Sequence, residues 1–429
     1  ETARETLRLS PGANKLDLTL AGQAVKIERM DLVEAVRFRA MEAPRMAQVA
    51  GVLYRRGLPH NTESYARIEE NRFHSAASDP LSTFSIDVDR ASYANVRRFV
   101  NEGMRPPVDA VRIEELINYF PYSDPTPVGD APLAIRAEVA AAPWQPLHRL
   151  VRIGLKARSV DLREAPASNL VFLLDVSGSM ASPDKLPLLK TAFRMLVGQM
   201  RPQDRVAIVV YAGAAGLVLP STPGNDKDQI LSAIEGLDAG GSTAGGAGIR
   251  LAYKVAQENH IRGGNNRVIL ATDGDFNVGA SSDAEMVRLI EEKRDQGTFL
   301  TVLGFGTGNL KDSKMEQIAD HGNGNFSYID NALEAKKVLV SEMGGTLLTV
   351  AKDVKIQVEF NPTKVAAYRL IGYENRLLAD EDFNDDRKDA GEVGAGHTVT
   401  ALYEVIPVGV ESPVTISDVD PLRYQEGAV

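Results

Sequence analysis

The sequence predicts an α/β protein: a doubly wound, mostly parallel sheet flanked by a small α+β domain and a β-rich carboxyl-terminal element. Apolar strands alternate with amphipathic helices in the middle of the chain, as in a parallel sheet covered on both faces. In the last part of the chain the helices stop, and strand-like segments follow one another. We therefore divide the chain into a poorly defined leader or linker (1–60), a small α+β domain (61–145), the doubly wound domain (146–350) and a β-rich domain (351–429).

The composition excludes several classes of protein. The chain has 429 residues, enough for two or three domains, and is 44% hydrophobic and 25% charged. A net charge of −10 argues against a nucleic-acid-binding surface, which needs clustered basic residues. No apolar stretch approaches the roughly 20 residues needed to span a bilayer. The absence of cysteine excludes disulfides, zinc–thiolate sites and cysteine catalysis.

The front of the chain shows weaker patterns. Residues 16–20 alternate as a short strand would, residues 25–27 fit another, and residues 40–62 fit a linker or a marginal helix. A half-buried strand is predicted over 82–89, with Asp87 and Asp89 on its outward face as solvated carboxylates. The small domain is completed by helices at 91–101 and 111–119 and a strand at 133–139.

The central domain shows the clearest alternation of strands and helices. Its predicted strands cover 150–155, 170–174, 206–211, 267–271, 298–304 and 325–329. Its predicted helices cover 185–200, 228–237, 248–258, 283–295, 310–321 and 332–348. Ligands of such sheets bind outside the carboxyl ends of the strands, which directs attention to the residues that follow each strand.

The β-rich domain is predicted from three strands and the loop between them. The strands cover 354–360, 366–371 and 398–405, with an acidic, glycine-bearing loop at 380–396. Its last strands are expected to lie beyond Val429, and a signal segment is expected to precede Glu1.

Oxygen-bearing side chains follow two of the buried strands. Asp175, Ser177 and Ser179 form an Asp-x-Ser-x-Ser motif after one strand, Asp273 follows another, and Thr243 lies in a glycine-rich segment. Magnesium takes about six oxygen ligands, some of them waters, so these side chains predict a hard-cation site. The alternative for the motif alone is a turn in which Ser179 or Ser182 caps the next helix.

At these residues the chain resembles the von Willebrand factor type A (VWA) family, whose metal-ion-dependent adhesion site has the order Asp-x-Ser-x-Ser, Thr, Asp. The resemblance assigns Asp175, Ser177, Ser179, Thr243 and Asp273 to that site without a substitution. It implies that the serines and the threonine reach the metal directly or through water, and that the aspartates mostly hold coordinated waters. It also implies an open coordination position for an acidic group of a partner protein.

A longer part of the chain, from Asn61 to about Pro407, resembles a bacterial, YfbK-like group of that family with its own preceding and following domains. The front of the resemblance rests on residues 71–73, 84–89 and 112–120, and the back on residues 370–376 and 380–386. Members of the group share no agreed activity, so the resemblance indicates membership rather than function.

The sequence favours a non-enzymatic, metal-dependent protein-binding module. The expected cation is Mg²⁺, with Mn²⁺ or Ca²⁺ as alternatives, and the expected partner offers an Asp or Glu carboxylate. A metal-assisted hydrolase is the second hypothesis, but only the site aspartates are available as general base. A structural protein with a static metal site is the third. The resemblance implies export to the periplasm or cell surface, with a lipid anchor as an open alternative.

Two neighbouring segments bear on the same site. Asp275 is either a further carboxylate of the site or a turn cap. The glycine-rich loop at 304–308 is predicted on the same rim, as part of a partner-binding surface.

Overall fold

The computed structural model describes most of the chain after residue 61. The described residues are 62–86, 89–161, 163–241, 245–274, 276, 283–342, 348–385, 390–412 and 414, together with the backbone of four short strands between residues 11 and 25.

Nineteen strands occur in the described residues. They are β1 (Pro11–Gly12), β2 (Lys15–Leu16), β3 (Leu18–Leu20), β4 (Gln23–Val25), β5 (His74–Ser75), β6 (Leu81–Ser85), β7 (Leu133–Ala142), β8 (Gln145–Ala157), β9 (Ser168–Asp175), β10 (Arg205–Tyr211), β11 (Ala215–Pro223), β12 (Asn265–Thr272), β13 (Thr298–Phe305), β14 (Phe326–Ile329), β15 (Thr349–Glu359), β16 (Val365–Ile371), β17 (Leu377–Leu378), β18 (Gly391–Gly394) and β19 (Thr398–Pro407).

Eight α-helices occur in the same residues. They are α1 (Ala91–Asn101), α2 (Ile113–Asn118), α3 (Leu186–Gln199), α4 (Lys227–Glu235), α5 (Gly245–Glu258), α6 (Asp283–Asp295), α7 (Asp312–His321) and α8 (Ala332–Lys336). None of the described helices is both long and apolar enough to cross a bilayer.

The leader and the rest of the chain are separate compact units, Glu1–Asn61 and Thr62–Val429. In the leader, β1 pairs with β2 and β3 with β4, each pair antiparallel. The predicted strand over 16–20 is thus divided between β2 and β3. The linker or marginal helix predicted over 40–62 lies outside the described residues except for Thr62.

A six-stranded sheet forms the centre of the larger unit, with the strand order β11-β10-β9-β12-β13-β14. Five strands are parallel, and β11 is an antiparallel edge strand that the sequence patterns did not predict. Every residue of β9 is buried, as expected for a strand covered on both faces. Leu170 and Phe172 pack into the core on one face, and Val171 and Leu173 pack into the core on the other. The predicted doubly wound α/β fold is confirmed.

Two antiparallel sheets adjoin this core, with strand orders β17-β6-β15-β18 and β5-β16-β19-β8-β7. The strand predicted over 150–155 as the first of the central domain is β8, which pairs with β7 and β19 instead. Its placement was wrong because β8 forms an antiparallel hairpin with β7, and its other partner, β19, lies far along the chain. Strands from both sides of the proposed domain boundaries share these sheets, and the boundaries themselves stay predictions.

The structure corrects the prediction for Asp89, whose side chain is 3% exposed rather than solvated. Its Oδ1 accepts a hydrogen bond from the Phe326 amide at 2.7 Å, and its Oδ2 lies 3.5 Å from the Arg376 guanidinium. The alternation of residues along a strand cannot show that residues distant in the sequence, here Phe326 and Arg376, bury a side chain on its outward face. Asp87 lies outside the described residues.

The helix predicted over 332–348 is shorter. Helix α8 ends at Lys336, a π-helical turn follows over Lys337–Ser341, and β15 begins at Thr349. Asn331 begins the helix by accepting hydrogen bonds from the Leu333 and Glu334 amides.

Candidate functional site

The candidate site lies at the carboxyl ends of β9 and β12. Asp175 is the last residue of β9, and Asp273 directly follows β12. The two strands are adjacent and parallel, with Leu174 opposite Ala271, so the register brings both carboxylates to one edge of the sheet. Both aspartates are fully buried.

Asp175 is held by donors from its own loop and from the neighbouring strand. The Ser177 amide donates to its Oδ1 at 2.8 Å, and the Thr272 hydroxyl donates to its Oδ2 at 3.3 Å. Burial raises the pKa of Asp175 to about 6; the charge of Asp273 adds to the rise, and the hydrogen bonds from Ser177 and Thr272 oppose it. Its hydrogen-bond donors Ser177 and Thr272 are neutral, so they stabilise the carboxylate without supplying a compensating positive charge.

The two serines of the motif lie close together at the surface edge of the site. Their Oγ atoms are 3.0 Å apart, with Ser177 2% exposed and Ser179 exposed. A 3-10 turn over Gly178–Ala181 follows Ser177 and places Ser179 closer to solvent than Ser177. A buried and an exposed hydroxyl are therefore paired at the rim.

The backbone that leads toward Thr243 adjoins the motif. The Gly240 amide donates to the Val176 carbonyl at 2.8 Å, and the Gly178 amide donates to the Gly241 carbonyl at 3.0 Å. Gly241 has a φ of +83°, a conformation that favours glycine. Thr243 and Asp275 themselves lie outside the described residues, so their roles stay predictions.

Asp273 has two partners that sequence reasoning missed. Lys185 Nζ donates to its Oδ2 at 2.8 Å, and the Asn309 side-chain amide donates to the same oxygen at 3.2 Å. Lys185 is 6% exposed and directly precedes helix α3. A cation at a helix amino terminus opposes the helix dipole, and that is the signal that could have identified Lys185.

The loop that carries Asn309 is held by the first residues of the larger unit. The Thr62 amide donates to the Gly308 carbonyl at 2.7 Å, and the Ser64 amide donates to the Leu310 carbonyl at 3.0 Å. Glu63 Oε1 accepts from the Gly308 amide at 2.8 Å. The segment before the central domain thus supports one wall of the site.

The described part of the chain contains no cluster of three or more histidine, cysteine, aspartate or glutamate side chains suited to a metal. Within the described residues, the candidate site offers the carboxylates of Asp175 and Asp273 and the hydroxyls of Ser177 and Ser179. Four oxygen ligands suit a hard cation better than zinc.

Three family models match the chain in succession. A model described as von Willebrand factor matches residues 59–152, the von Willebrand factor type A domain model matches 169–341, and a model described as uncharacterized protein YfbK, C-terminal, matches 345–429.

The chain is also similar to individual proteins. It is 46% identical over 398 residues to the uncharacterized protein YfbK of Escherichia coli (strain K12), covering 91% of this chain and 68% of that protein. It is 34% identical over 163 residues to the magnesium-chelatase 60 kDa subunit of Cereibacter sphaeroides, covering 36% of this chain and 29% of that subunit. A solved structure of the conserved hypothetical protein BatB from Bacteroides thetaiotaomicron is 23% identical, with a TM-score of 0.36, and the match covers 41% of this chain and 97% of that one.

The similarity to YfbK extends across the central domain and both flanking segments, and the family models match the same parts in the same order. The chain therefore belongs to the YfbK-like proteins of the von Willebrand factor type A family.

Proposed function

We propose that this protein is a metal-dependent protein-binding module. The VWA family generally mediates protein interactions. In this proposal Asp175, Ser177, Ser179, Thr243 and Asp273 hold a hard divalent cation, Mg²⁺ first and Mn²⁺ or Ca²⁺ as alternatives. The cation supplies a positive charge with an open coordination position, to which a partner's Asp or Glu carboxylate binds.

The spacing of the two serine hydroxyls carries the proposal. Two neighbouring ligands of an octahedral Mg²⁺, each roughly 2.0–2.1 Å from the ion, lie about 3 Å from one another. The Oγ atoms of Ser177 and Ser179 are 3.0 Å apart. The same distance suits a hydrogen bond between two hydroxyls, so a metal titration distinguishes the two interpretations.

The buried carboxylates support a cation at the same place. Asp175 is fully buried, accepts from neutral donors among the described residues and has a pKa raised to about 6. Burying a carboxylate without a compensating charge costs free energy. A nearby divalent cation would offset that cost and lower the pKa of Asp175.

The side chains around the site favour binding over catalysis. A hydrolase would need a general base within hydrogen-bond reach of an attacking water. The side chains that donate to the two aspartates include a lysine, an amide and a threonine hydroxyl, from Lys185, Asn309 and Thr272. Oδ2 of Asp273 is already engaged by Lys185 and Asn309, so we propose no catalytic step.

The location of the protein stays a prediction. We propose export to the periplasm or cell surface, where an adhesion-type site would meet other proteins. Cell fractionation of the natural protein, followed by protease accessibility of intact cells, tests this; a purely cytoplasmic pool would contradict it.

The decisive experiment is calorimetric titration of the metal-stripped protein with Mg²⁺ and with Mn²⁺. We expect saturable one-site binding that is lost in Asp175→Asn, because the variant removes a buried charge without changing the side-chain shape. Asp184→Asn, in the same loop, is the matched control and should bind as the wild type does. Absence of binding by the wild type would contradict the proposal.

A second experiment tests the binding of a partner. A protein captured from extract in Mg²⁺ should be released by EDTA and should not be captured by Asp175→Asn. A partner that stays bound in EDTA would show that the metal bridge is wrong.

A further inference from the structure

We propose that Lys185 is a built-in positive charge that competes with the divalent cation for Asp273 and thereby sets how tightly the site binds metal. This inference rests on the proposed function. It adds an affinity-determining residue from outside the motif.

The contact between the two residues is direct and shielded from solvent. Lys185 Nζ lies 2.8 Å from Asp273 Oδ2, and the two side chains are 8% and 0% exposed. The Asn309 amide donates to the same oxygen at 3.2 Å. Oδ2 of Asp273 therefore already has two donors, one of them charged, before any cation binds.

The path of the lysine stem is also specific to this contact. The Lys185 methylenes lie against Gly306, where an added Cβ would overlap them. Gly306 has a φ of +71°, which favours glycine on conformational grounds as well. Lys185 also precedes the amino terminus of α3, where the helix dipole disfavours a cation. Its position is thus maintained by Asp273 against a local electrostatic cost.

The consequence for metal binding follows from charge. An ammonium and a divalent cation that share one buried carboxylate repel each other in an environment that screens charges poorly. The lysine therefore weakens cation binding relative to a site without it. In the metal-free protein the same ammonium stabilises the buried Asp273 carboxylate.

The test compares variants of Lys185 in the full chain, with Mn²⁺ alone as the probe. Lys185→Met keeps most of the stem and removes the charge; we expect its dissociation constant for Mn²⁺, measured by calorimetry, to be at least about tenfold lower. Lys185→Arg keeps the charge and should remain within about threefold of the wild type. Lys190→Met removes the same charge from helix α3, which follows Lys185, but away from the site; it is the matched control and should bind as the wild type does.

A second readout does not depend on calorimetry. Without metal, the melting temperature of Lys185→Met should be below that of the wild type because Asp273 loses its ammonium partner. Saturating Mn²⁺ should raise the melting temperature of the variant more than that of the wild type. If circular dichroism shows that Lys185→Met does not fold, Lys185→Gln replaces it, because the glutamine amide can still donate to Asp273.

The outcomes separate this inference from the proposed function. If the wild type and Lys185→Met bind Mn²⁺ equally well, the inference is overturned and the metal site survives. If only Lys185→Met binds, the inference is supported and the proposed function of the wild type fails. If neither binds, both are overturned.

Discussion

Ser177 and Ser179 point their hydroxyls at each other across 3.0 Å, although one is buried and the other exposed. The pair therefore connects the interior, where Asp175 lies, to the surface that a partner can reach. A cation bound by both hydroxyls would be anchored from inside and accessible from outside, which is the arrangement a binding module needs.

Ser177→Ala should weaken Mg²⁺ binding at least about tenfold, because it removes one candidate oxygen ligand. The free energy of unfolding of the metal-free variant should change by about 1 kcal/mol, the typical contribution of one hydrogen bond. Calorimetry and urea unfolding measure the two effects. Ser182→Ala, in the same loop, is the control; if both variants bind alike, Ser177 is not a ligand.

Gly248→Ala should destabilise the protein by about 1–3 kcal/mol, although alanine is the better helix former. A Cβ at Gly248 would meet Tyr211 Cβ at 2.9 Å and Leu173 Cδ1 at 3.2 Å, where α5 packs on the sheet. Gly198 in α3 has open space at the same position, so Gly198→Ala should be neutral or stabilising. Urea unfolding of the pair checks the opposite signs, and equal effects would contradict the packing argument.

Arg112→Met should cost about 3 kcal/mol of unfolding free energy. Arg112 is 6% exposed, and its guanidinium lies 2.5 Å from Glu316 and 3.3 Å from Asp312. Removing it leaves carboxylates buried next to an apolar side chain, where the residue that precedes α2 contacts α7. Arg136→Met breaks a half-exposed pair with Glu138 and should cost less than about 1 kcal/mol. Chemical unfolding measures the loss of unfolding free energy in both variants. Similar losses would contradict the argument.

His397 should make the protein less stable as the pH falls. Burial lowers the pKa of His397 well below 6.5, and the charges of Arg90, Lys156 and Lys337 lower it further. Below pH 6.5 the unfolded chain binds a proton that the folded protein excludes, so this residue reduces stability by up to about 1.4 kcal/mol per pH unit.

His397→Gln should flatten the dependence of the unfolding free energy on pH between pH 7 and pH 5, because glutamine does not titrate in that range. His260→Gln, a substitution of an exposed histidine, is the control and should retain the wild-type slope. Identical slopes in the wild type and His397→Gln would show that His397 does not contribute.

Periodicity predicted the central sheet because its strands are short, apolar and buried on both faces. It could not place β8, which pairs with β19 through contacts such as Val151 opposite Tyr403. It also missed β11, whose burial is mixed as expected for an edge strand. Pairing between distant segments leaves no local pattern for a single sequence to show.

The candidate site was predictable to the extent that it depends on strand ends. Asp175 and Asp273 each follow a strand of the predicted parallel sheet, which predicted that they lie at one edge of that sheet. The register of β9 and β12 confirms that placement. Lys185 was not predictable from this pattern, because its contact with Asp273 spans 88 residues and depends on the path past Gly306. Metal binding by these residues stays a prediction.

The position of β6 between β15 and β17 has a consequence for biosynthesis. Thr83 and Gln357 are paired across 274 residues, so β6 has no partner strand until the chain has been synthesised as far as β15. The central sheet, whose strands all lie between residues 168 and 329, can assemble earlier. During that interval the unpaired edge of β6 is exposed to association with other chains, and closing so long a loop is slow. Chaperone dependence during synthesis is therefore expected to arise from the segment that contains β6 rather than from the domain that carries the site.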